Sequence, residues 1–241
     1  MSDSSNRTYV LVHGAYHGGW CWQFVADALR AQGHRVFTPT LPGLGERADE
    51  LRDDPGLDTF ITDIVALFER EDLRDVVLVA HSFGGVVISG VADRAPERIR
   101  HLVFLDAVIV PAGSSVFASA PSEALVFYRS VLRQNGGSGA VPVPPLDFFG
   151  VVEPAQREFL LQRLTPQPVK PFFDNLVLTQ PLGAGLPVTC IHCTAPPFPH
   201  AESSRLLARS MPGWRHIDLA TGHDAMISAP DDVVAMLHAI A

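Results

Sequence analysis

The sequence predicts an α/β protein with a mostly parallel central sheet, flanking helices and an inserted, mainly helical cap. Short apolar, β-branched runs alternate with amphipathic stretches of helical spacing, and this alternation is interrupted once, in the middle of the chain. With 241 residues, of which 47% are apolar and 18% charged, the chain can bury one full core and is not disordered. We expect residues 1–106 and 187–241 to form the α/β core of a single structural domain, with residues 107–186 as the cap.

The strands are predicted from short runs of mostly apolar and β-branched residues. In chain order they cover residues 9–12, 35–39, 75–80, 99–105, 187–193 and 216–220. The run over 75–80 is apolar on both faces, which is typical of a central strand in a parallel sheet. Between and after these runs, apolar residues recur at helical spacing and predict helices. The predicted helices cover residues 21–32, 59–70, 83–95, 201–210 and 231–240.

Residues 107–186 have a different character from the rest of the chain. They contain a glycine-rich segment at 136–139, several prolines and seven of the fourteen phenylalanines. Short helical patterns occur between these features, but the regular alternation of strands and helices is lost. We interpret this stretch as a cap inserted into the core rather than as a second independent domain.

Charge and hydropathy exclude several kinds of partner. The net charge is −8, from 26 acidic and 18 basic residues, and Lys170 is the only lysine. Because no basic stripe is present, we expect no nucleic-acid partner. No apolar run is long enough to cross a bilayer, and the N-terminus has no signal-peptide core, so we expect no membrane partner.

Cysteine usage predicts neither disulfides nor a metal. Cys21, Cys190 and Cys193 are too few and too unevenly placed for a disulfide framework, so we expect a reducing, cytoplasmic location. The pair Cys190-x-x-Cys193 alternates within a predicted strand, and no second ligand pair follows at a suitable spacing. We therefore expect buried thiols and no metal site.

The strongest functional signal is Ser82, at the junction of a predicted strand and a predicted helix. The segment Ala80-His81-Ser82-Phe83-Gly84 resembles the nucleophile elbow G-x-S-x-G, with alanine at the first glycine position. Small residues two before and two after the serine allow the sharp turn that exposes its hydroxyl. The alternative is a serine that caps an ordinary strand-to-helix turn.

A glycine-rich turn after the first strand is the second signal. Residues 12–20 include Ala15, whose backbone N–H can point toward an oxyanion, and the N–H of Phe83 can supply a second donor. The third signal is His223, which follows the last predicted strand between small neighbours. A histidine there can reach the serine and exchange a proton near neutral pH. With ten histidines in the chain, a purely structural His223 is the alternative.

Together these motifs resemble the α/β-hydrolase superfamily, and most closely its plant methylesterase and hydroxynitrile lyase branch with that branch's bacterial esterase relatives. The residues that carry the resemblance are 13–22, the Ser82 turn and Gly222-His223. The resemblance implies the α/β-hydrolase fold, a Ser–acid–His triad, an acyl-enzyme intermediate and no cofactor. The lyases of the branch use a lysine near the catalytic histidine, which this chain lacks, so we do not expect that lyase chemistry.

The position of the acid departs from these relatives. They place an aspartate in the loop after the penultimate strand, where residues 193–200 contain no carboxylate. Asp106 follows the strand that comes after the Ser82 helix, a position that some superfamily relatives use. We therefore expect Asp106 to be the acid, with Glu202 as the alternative. Asp218 and Asp224 are expected to be structural.

The remaining expectations concern the substrate. We expect His17, Trp20, His81, Phe127, Phe148 and Phe149 to bind it. The phenylalanine-rich cap predicts a small ester or lactone with a hydrophobic or aromatic group, although the same rings could simply pack the cap onto the sheet. The alternatives are a C–C bond hydrolase, an amidase, a cofactor-free lyase, or a receptor-like binding protein with a vestigial triad. A monomer or a homodimer is compatible with the sequence.

Overall fold

The predicted parallel sheet is present in the computed structural model, which describes residues 6–119, 122–134 and 139–240. Within these residues the strands are β1 (Thr8–Val12), β2 (Arg35–Phe37), β3 (Val76–His81), β4 (Ile99–Leu105), β5 (Ala140–Val141), β6 (Gln167–Pro168), β7 (Val188–Cys193) and β8 (Arg215–Leu219). Six of them form one sheet in the order β2-β1-β3-β4-β7-β8, with every neighbouring pair parallel. The α/β class and the mostly parallel sheet are therefore confirmed.

The helices follow the predicted pattern. They are α1 (Gln23–Ala31), α2 (Leu57–Arg70), α3 (Gly84–Arg94), α4 (Ser122–Gln134), α5 (Pro154–Leu161), α6 (Lys170–Phe173), α7 (Glu202–Ser210), α8 (Ala225–Ser228) and α9 (Pro230–Ile240). The five helices predicted individually are α1, α2, α3, α7 and α9, and each lies within two residues of its predicted ends. The short helix α8, which begins two residues after His223, was not predicted.

The core is built on the central strands. All residues of β3 are buried, as the apolar character of both of its faces predicts. Helix α1 packs on α9, and α2 packs on α3. Cys21, Cys190 and Cys193 are buried free thiols, and burial raises the pKa of Cys190 to about 12.

The stretch over residues 107–186 leaves the main sheet after β4 and returns at β7, and these two strands pair directly. Its described residues form α4, α5, α6 and the antiparallel pair β5–β6, and they add no strand to the main sheet. Phe148, Phe149 and Phe172 from this stretch line a cavity that also contains Ser82. The exact division into core and cap stays a prediction. Among the described residues, no helix has both the length and the apolar character that crossing a membrane requires.

Candidate active site

Ser82 lies at the sharp turn between β3 and α3. Its backbone φ is +50°, a left-handed conformation that is rare for a residue with a side chain. A Cβ atom at Gly84 would come within 2.7 Å of the backbone oxygen of His13 and 3.3 Å of the Ala80 side chain. The helix therefore begins so close to the end of β1 that position 84 requires glycine, and its approach to β3 requires a small residue at position 80. This geometry holds the Ser82 side chain at the carboxyl edge of the sheet.

His223 reaches Ser82 from the loop after β8. Its Nε2 lies 2.9 Å from the Ser82 Oγ. The loop is closely packed, since a Cβ atom at Gly222 would lie 2.1 Å from the backbone oxygen of Gly150. On the other side, the ring of Phe198 stacks on the imidazole with centroids 3.7 Å apart and an interplanar angle of 22°. The imidazole is thus fixed by packing as well as by hydrogen bonds.

Asp106 contacts the second nitrogen of the same imidazole. It directly follows β4, and its Oδ2 lies 2.7 Å from the His223 Nδ1. Its Oδ1 accepts hydrogen bonds from Arg205 Nη2 at 2.8 Å and from the Cys193 N–H at 3.2 Å. Burial alone would raise the pKa of this carboxyl, but the contacts with His223 and Arg205 outweigh it and hold the pKa below its usual value. Asp106 is therefore an ionised acceptor at neutral pH.

The protonation of His223 follows from this contact. A carboxylate can only accept hydrogen bonds, so Nδ1 of His223 carries the hydrogen that faces Asp106. Nε2 is then free to accept the hydrogen of the Ser82 hydroxyl, at a distance suited to proton transfer. This arrangement can activate a hydroxyl nucleophile at neutral pH.

The other candidate carboxylates do not contact the His223 ring. Glu202 is 64% exposed on α7, with an oxygen 3.6 Å from Arg205 Nη1. Asp218 is exposed on β8. Asp224 is fully buried, but its Oδ2 pairs with His17 Nε2 at 3.0 Å. Among the described carboxylates, only Asp106 is hydrogen-bonded to the imidazole that faces Ser82.

The two proposed oxyanion donors lie beside the serine. Ala15 and Phe83 both line the cavity that contains Ser82. Phe83 precedes the first residue of α3, where backbone N–H groups lack a partner within the helix and the helix dipole favours negative charge. A Cβ atom at Gly14 would come within 2.8 Å of the Ser82 Cβ, so the turn that carries Ala15 passes directly against the serine.

The cavity above Ser82 has a volume of about 660 Å³ and a largely aromatic and aliphatic wall. Of the residues predicted to bind substrate, His17, His81, Phe148 and Phe149 line it. Within the described part of the chain, no aspartate, glutamate, lysine or arginine is among the lining residues. Apart from its histidines, the wall therefore consists of uncharged side chains next to the Ser82 hydroxyl.

Trp20 and Phe127 do not join this group. Trp20 is not on the cavity wall among the described residues, because its ring packs behind His17 and against Phe159 at centroid distances of 5.2 and 5.5 Å. The prediction that it binds substrate is therefore not supported by its position. The side chain of Phe127, on α4, lies outside the described residues.

His81 lines the cavity as a neutral side chain. Burial lowers its pKa to about 3, and the nearby His223 adds to this effect. Its Nε2 donates to the backbone oxygen of His223 at 3.0 Å, and the two rings lie 4.5 Å apart. His81 therefore supports the loop that carries His223 and does not compete with it for a proton near neutral pH.

Sequence reasoning missed two residues of the site, Arg205 and Phe198. Arg205 belongs to an ordinary amphipathic helix, and no local pattern marks it as the partner of Asp106. Phe198 lies in the segment 193–200, whose lack of a carboxylate was the only available signal. Both contacts are long-range: that of Arg205 with Asp106 depends on β7 lying beside β4, and that of Phe198 with His223 on β7 lying beside β8.

Comparison with known proteins adds independent findings. The model of the Alpha/beta hydrolase family matches residues 9–236. The carbendazim hydrolyzing esterase of Nocardioides sp. (strain SG-4G) is 37% identical over 245 residues, which cover 96% of this chain and 98% of that protein. Methyl jasmonate esterase 1 of Vitis vinifera is 41% identical over 113 residues, covering 44% of this chain and 41% of that protein.

A solved structure shows the same fold. It is an extracellular alpha/beta-hydrolase from a Paenibacillus species, described as sharing structural and functional homology with tobacco salicylic acid binding protein 2. The TM-score is 0.79 and the sequence identity is 25%, over 97% of this chain and 98% of that chain. The similarity thus extends over nearly the whole chain.

Proposed function

The chain belongs to the alpha/beta hydrolase family, and on that premise we propose that it is a serine hydrolase that cleaves a carboxylic ester or lactone. The observation that carries this proposal is the continuous hydrogen-bonded chain from Ser82 Oγ through both nitrogens of His223 to Asp106. The names of the bacterial and grape relatives, both esterases, support an ester as the bond that is cleaved.

The reaction follows from the roles that these groups can take. Ser82 Oγ attacks the acyl carbonyl while His223 Nε2 takes its proton, and the charge of Asp106 stabilises the imidazolium that forms. The amides of Ala15 and Phe83 donate hydrogen bonds to the oxyanion. His223 then returns the proton to the leaving alkoxide oxygen, which departs as the alcohol. A water molecule, deprotonated by the same imidazole, hydrolyses the acyl-enzyme and regenerates the Ser82 hydroxyl.

The cavity supports a small, neutral substrate with a hydrophobic or aromatic group. Its volume of about 660 Å³ is in the ordinary range for small-molecule sites. Phe148, Phe149, Phe172 and Phe198 supply aromatic surface for an apolar group. A wall without aspartate, glutamate, lysine or arginine disfavours a substrate that is itself ionised, since an unpaired charge is costly to bury. We therefore expect uncharged aromatic or branched esters to be better substrates than esters with a free carboxylate.

The test is hydrolysis of a chain-length series of p-nitrophenyl esters and of a set of lactones by the wild type and by Ser82→Ala. We expect wild-type turnover and a loss of roughly 10³-fold or more in kcat for Ser82→Ala, with the control Ser210→Ala, an exposed serine on α7, unchanged. An organophosphonate should label Ser82 stoichiometrically, which mass spectrometry locates. A wild type that hydrolyses neither class and is not labelled would contradict the proposal and favour a binding protein.

A further inference from the structure

The imidazole of His17 faces a hydrogen-bond acceptor at each of its nitrogens. Nδ1 lies 2.8 Å from the backbone oxygen of Ala15, and Nε2 lies 3.0 Å from Oδ2 of Asp224. The two side chains are buried, with exposures of 1% and 0%. A carbonyl oxygen and an ionised carboxylate can accept hydrogen bonds but cannot donate them. With an ionised Asp224, both nitrogens of His17 must therefore carry a hydrogen, and the ring is a cation.

Asp224 is arranged for this partner rather than for its own helix. It occupies the N-cap position of α8, where an aspartate usually accepts a backbone N–H of the first turn. Here its side chain makes no such bond, and Oδ2 turns inward to His17 instead. Burial alone would raise the pKa of Asp224, but the neighbouring His17 outweighs it and holds the pKa below its usual value. The carboxylate thus stays ionised, as a positively charged partner requires.

The pair connects the two loops on which the proposed reaction depends. Asp224 directly follows His223, while the Nδ1–H of His17 holds the carbonyl oxygen of Ala15. The amide hydrogen of the same peptide unit, on Tyr16, donates to the buried Oε1 of Gln167 at 3.0 Å. The peptide between residues 15 and 16 is therefore fixed at both its oxygen and its hydrogen. The Ala15 N–H belongs to the adjacent peptide, between residues 14 and 15, which is joined to this unit through the Ala15 Cα. A displacement of the fixed unit would therefore also move the N–H of Ala15, which lines the cavity.

We propose that His17 and Asp224 form a buried imidazolium–carboxylate pair that positions the Ala15 amide relative to Ser82 and His223. Both are positioning residues, since neither takes a proton from the nucleophile. The inference rests on the proposed function for its catalytic consequence. The protonation state of His17 is independent of that function and can be measured separately.

The first test is the two-bond ¹H–¹⁵N correlation spectrum of wild-type protein labelled with ¹⁵N-histidine, recorded at about pH 8. We expect one imidazole with both nitrogens protonated, whose signals disappear in His17→Gln. In Asp224→Asn, the amide can donate to Nε2, so His17 should become a neutral ring with its hydrogen on Nδ1. A wild-type His17 with a single protonated nitrogen would overturn the ionic pair and indicate a protonated Asp224.

The second test is the kinetics of ester hydrolysis by His17→Gln, Asp224→Asn and the double variant H17Q/D224N. We expect each single variant to lower kcat about 10- to 100-fold with KM changed less than threefold, because a small displacement of a donor acts on the transition state. The double variant should lose no more than the worse single variant, since the two residues act as one unit. It carries no unpaired buried charge, so it remains informative if a single variant does not fold.

The matched control is Asp218→Asn, an exposed aspartate on β8, for which we expect wild-type kinetics. A folded Asp224→Asn with wild-type kcat, or losses that multiply in the double variant, would overturn the positioning role. A wild type that hydrolyses no ester would instead overturn the proposed function. In that case the labelled-histidine spectrum still decides whether the buried pair is ionic.

Discussion

The carboxylate of Asp106 accepts hydrogen bonds from His223 Nδ1 at 2.7 Å, Arg205 Nη2 at 2.8 Å and the Cys193 N–H at 3.2 Å. In Asp106→Asn, the single amide oxygen can keep the last two bonds, which both involve Oδ1. The amide NH₂ then faces His223 and requires an acceptor at Nδ1. The imidazole must place its hydrogen on Nε2, where it donates to Ser82 instead of accepting from it.

The expected loss follows from this change of tautomer. A base in the wrong tautomer costs about 10⁴-fold in kcat in triads of this type. That factor corresponds to roughly 5 kcal/mol of transition-state stabilisation. KM should change little, since Asp106 is not on the cavity wall. The free energy of unfolding should fall by about 1–3 kcal/mol, because Arg205, which is 11% exposed, loses a charged partner.

The assay is steady-state hydrolysis of the best p-nitrophenyl ester at about pH 7.5, with circular dichroism and urea unfolding to verify the fold. Glu202→Gln is the matched control, and we expect its kcat to stay within about twofold of the wild type, because Glu202 is 64% exposed and does not contact His223. A folded Asp106→Asn that keeps more than a tenth of wild-type kcat would refute the reasoning. A larger loss of kcat in Glu202→Gln than in Asp106→Asn would identify Glu202, on α7, as the acid.

Three further predictions concern the surroundings of this site. Arg205→Met should lower kcat and move the acid-side loss of activity to higher pH, because the buried carboxyl of Asp106 has a raised pKa without its cation. The control for this pH–rate profile is Arg209→Met, an exposed position on α7. Burial lowers the pKa of His13 and His81 to about 3. Below pH 6.5 these rings therefore bind fewer protons in the folded state than in the unfolded state. Lowering the pH from 7.5 to 5 should therefore remove about 2 kcal/mol of stability for each of the two rings, more in total than a protonated His17 returns, and equal urea midpoints at the two pH values would contradict this. Gly222→Ala should lower kcat about 100-fold or more, since its Cβ would lie 2.1 Å from the oxygen of Gly150 and displace the loop; unchanged kcat and melting temperature would show that the loop adapts.

The elements that could be predicted from the sequence are those determined by residues close to one another in the chain. The run over 75–80 is apolar on both faces, and the structure contains β3 at Val76–His81, buried throughout. The small residues at positions 80 and 84 predict a sharp turn, and the Cβ distances at Gly84 give the reason. The proximity of Ser82, Asp106 and His223 was also predictable, because each follows a parallel strand and the carboxyl ends of such strands share one edge of the sheet.

The parts that sequence could not predict depend on long-range packing. Trp20 lies in the motif that carries the family resemblance, yet its ring packs against His17 and Phe159 and is not on the cavity wall. The antiparallel pair β5–β6 joins residues from two distant parts of the cap, and each strand is too short for a recognisable pattern. Arg205 meets Asp106 only because α7 packs over the ends of β4 and β7. No periodicity within a single segment reports such contacts.

The order of the strands explains why the acid can come from either of two places in the chain. β4 pairs with β3, which ends directly before Ser82, and with β7, after which the family resemblance of the sequence led us to look for the aspartate. The ends of β4 and β7 are therefore neighbours, and a carboxylate from either one can face a histidine that follows β8. In this chain the loop after β7 has taken a supporting role. The Cys193 N–H donates to Asp106, and Phe198 stacks on the His223 ring. An aspartate in this loop would have to replace the side chain at position 106 beside Nδ1 of His223, so a new aspartate there should not rescue kcat in Asp106→Asn.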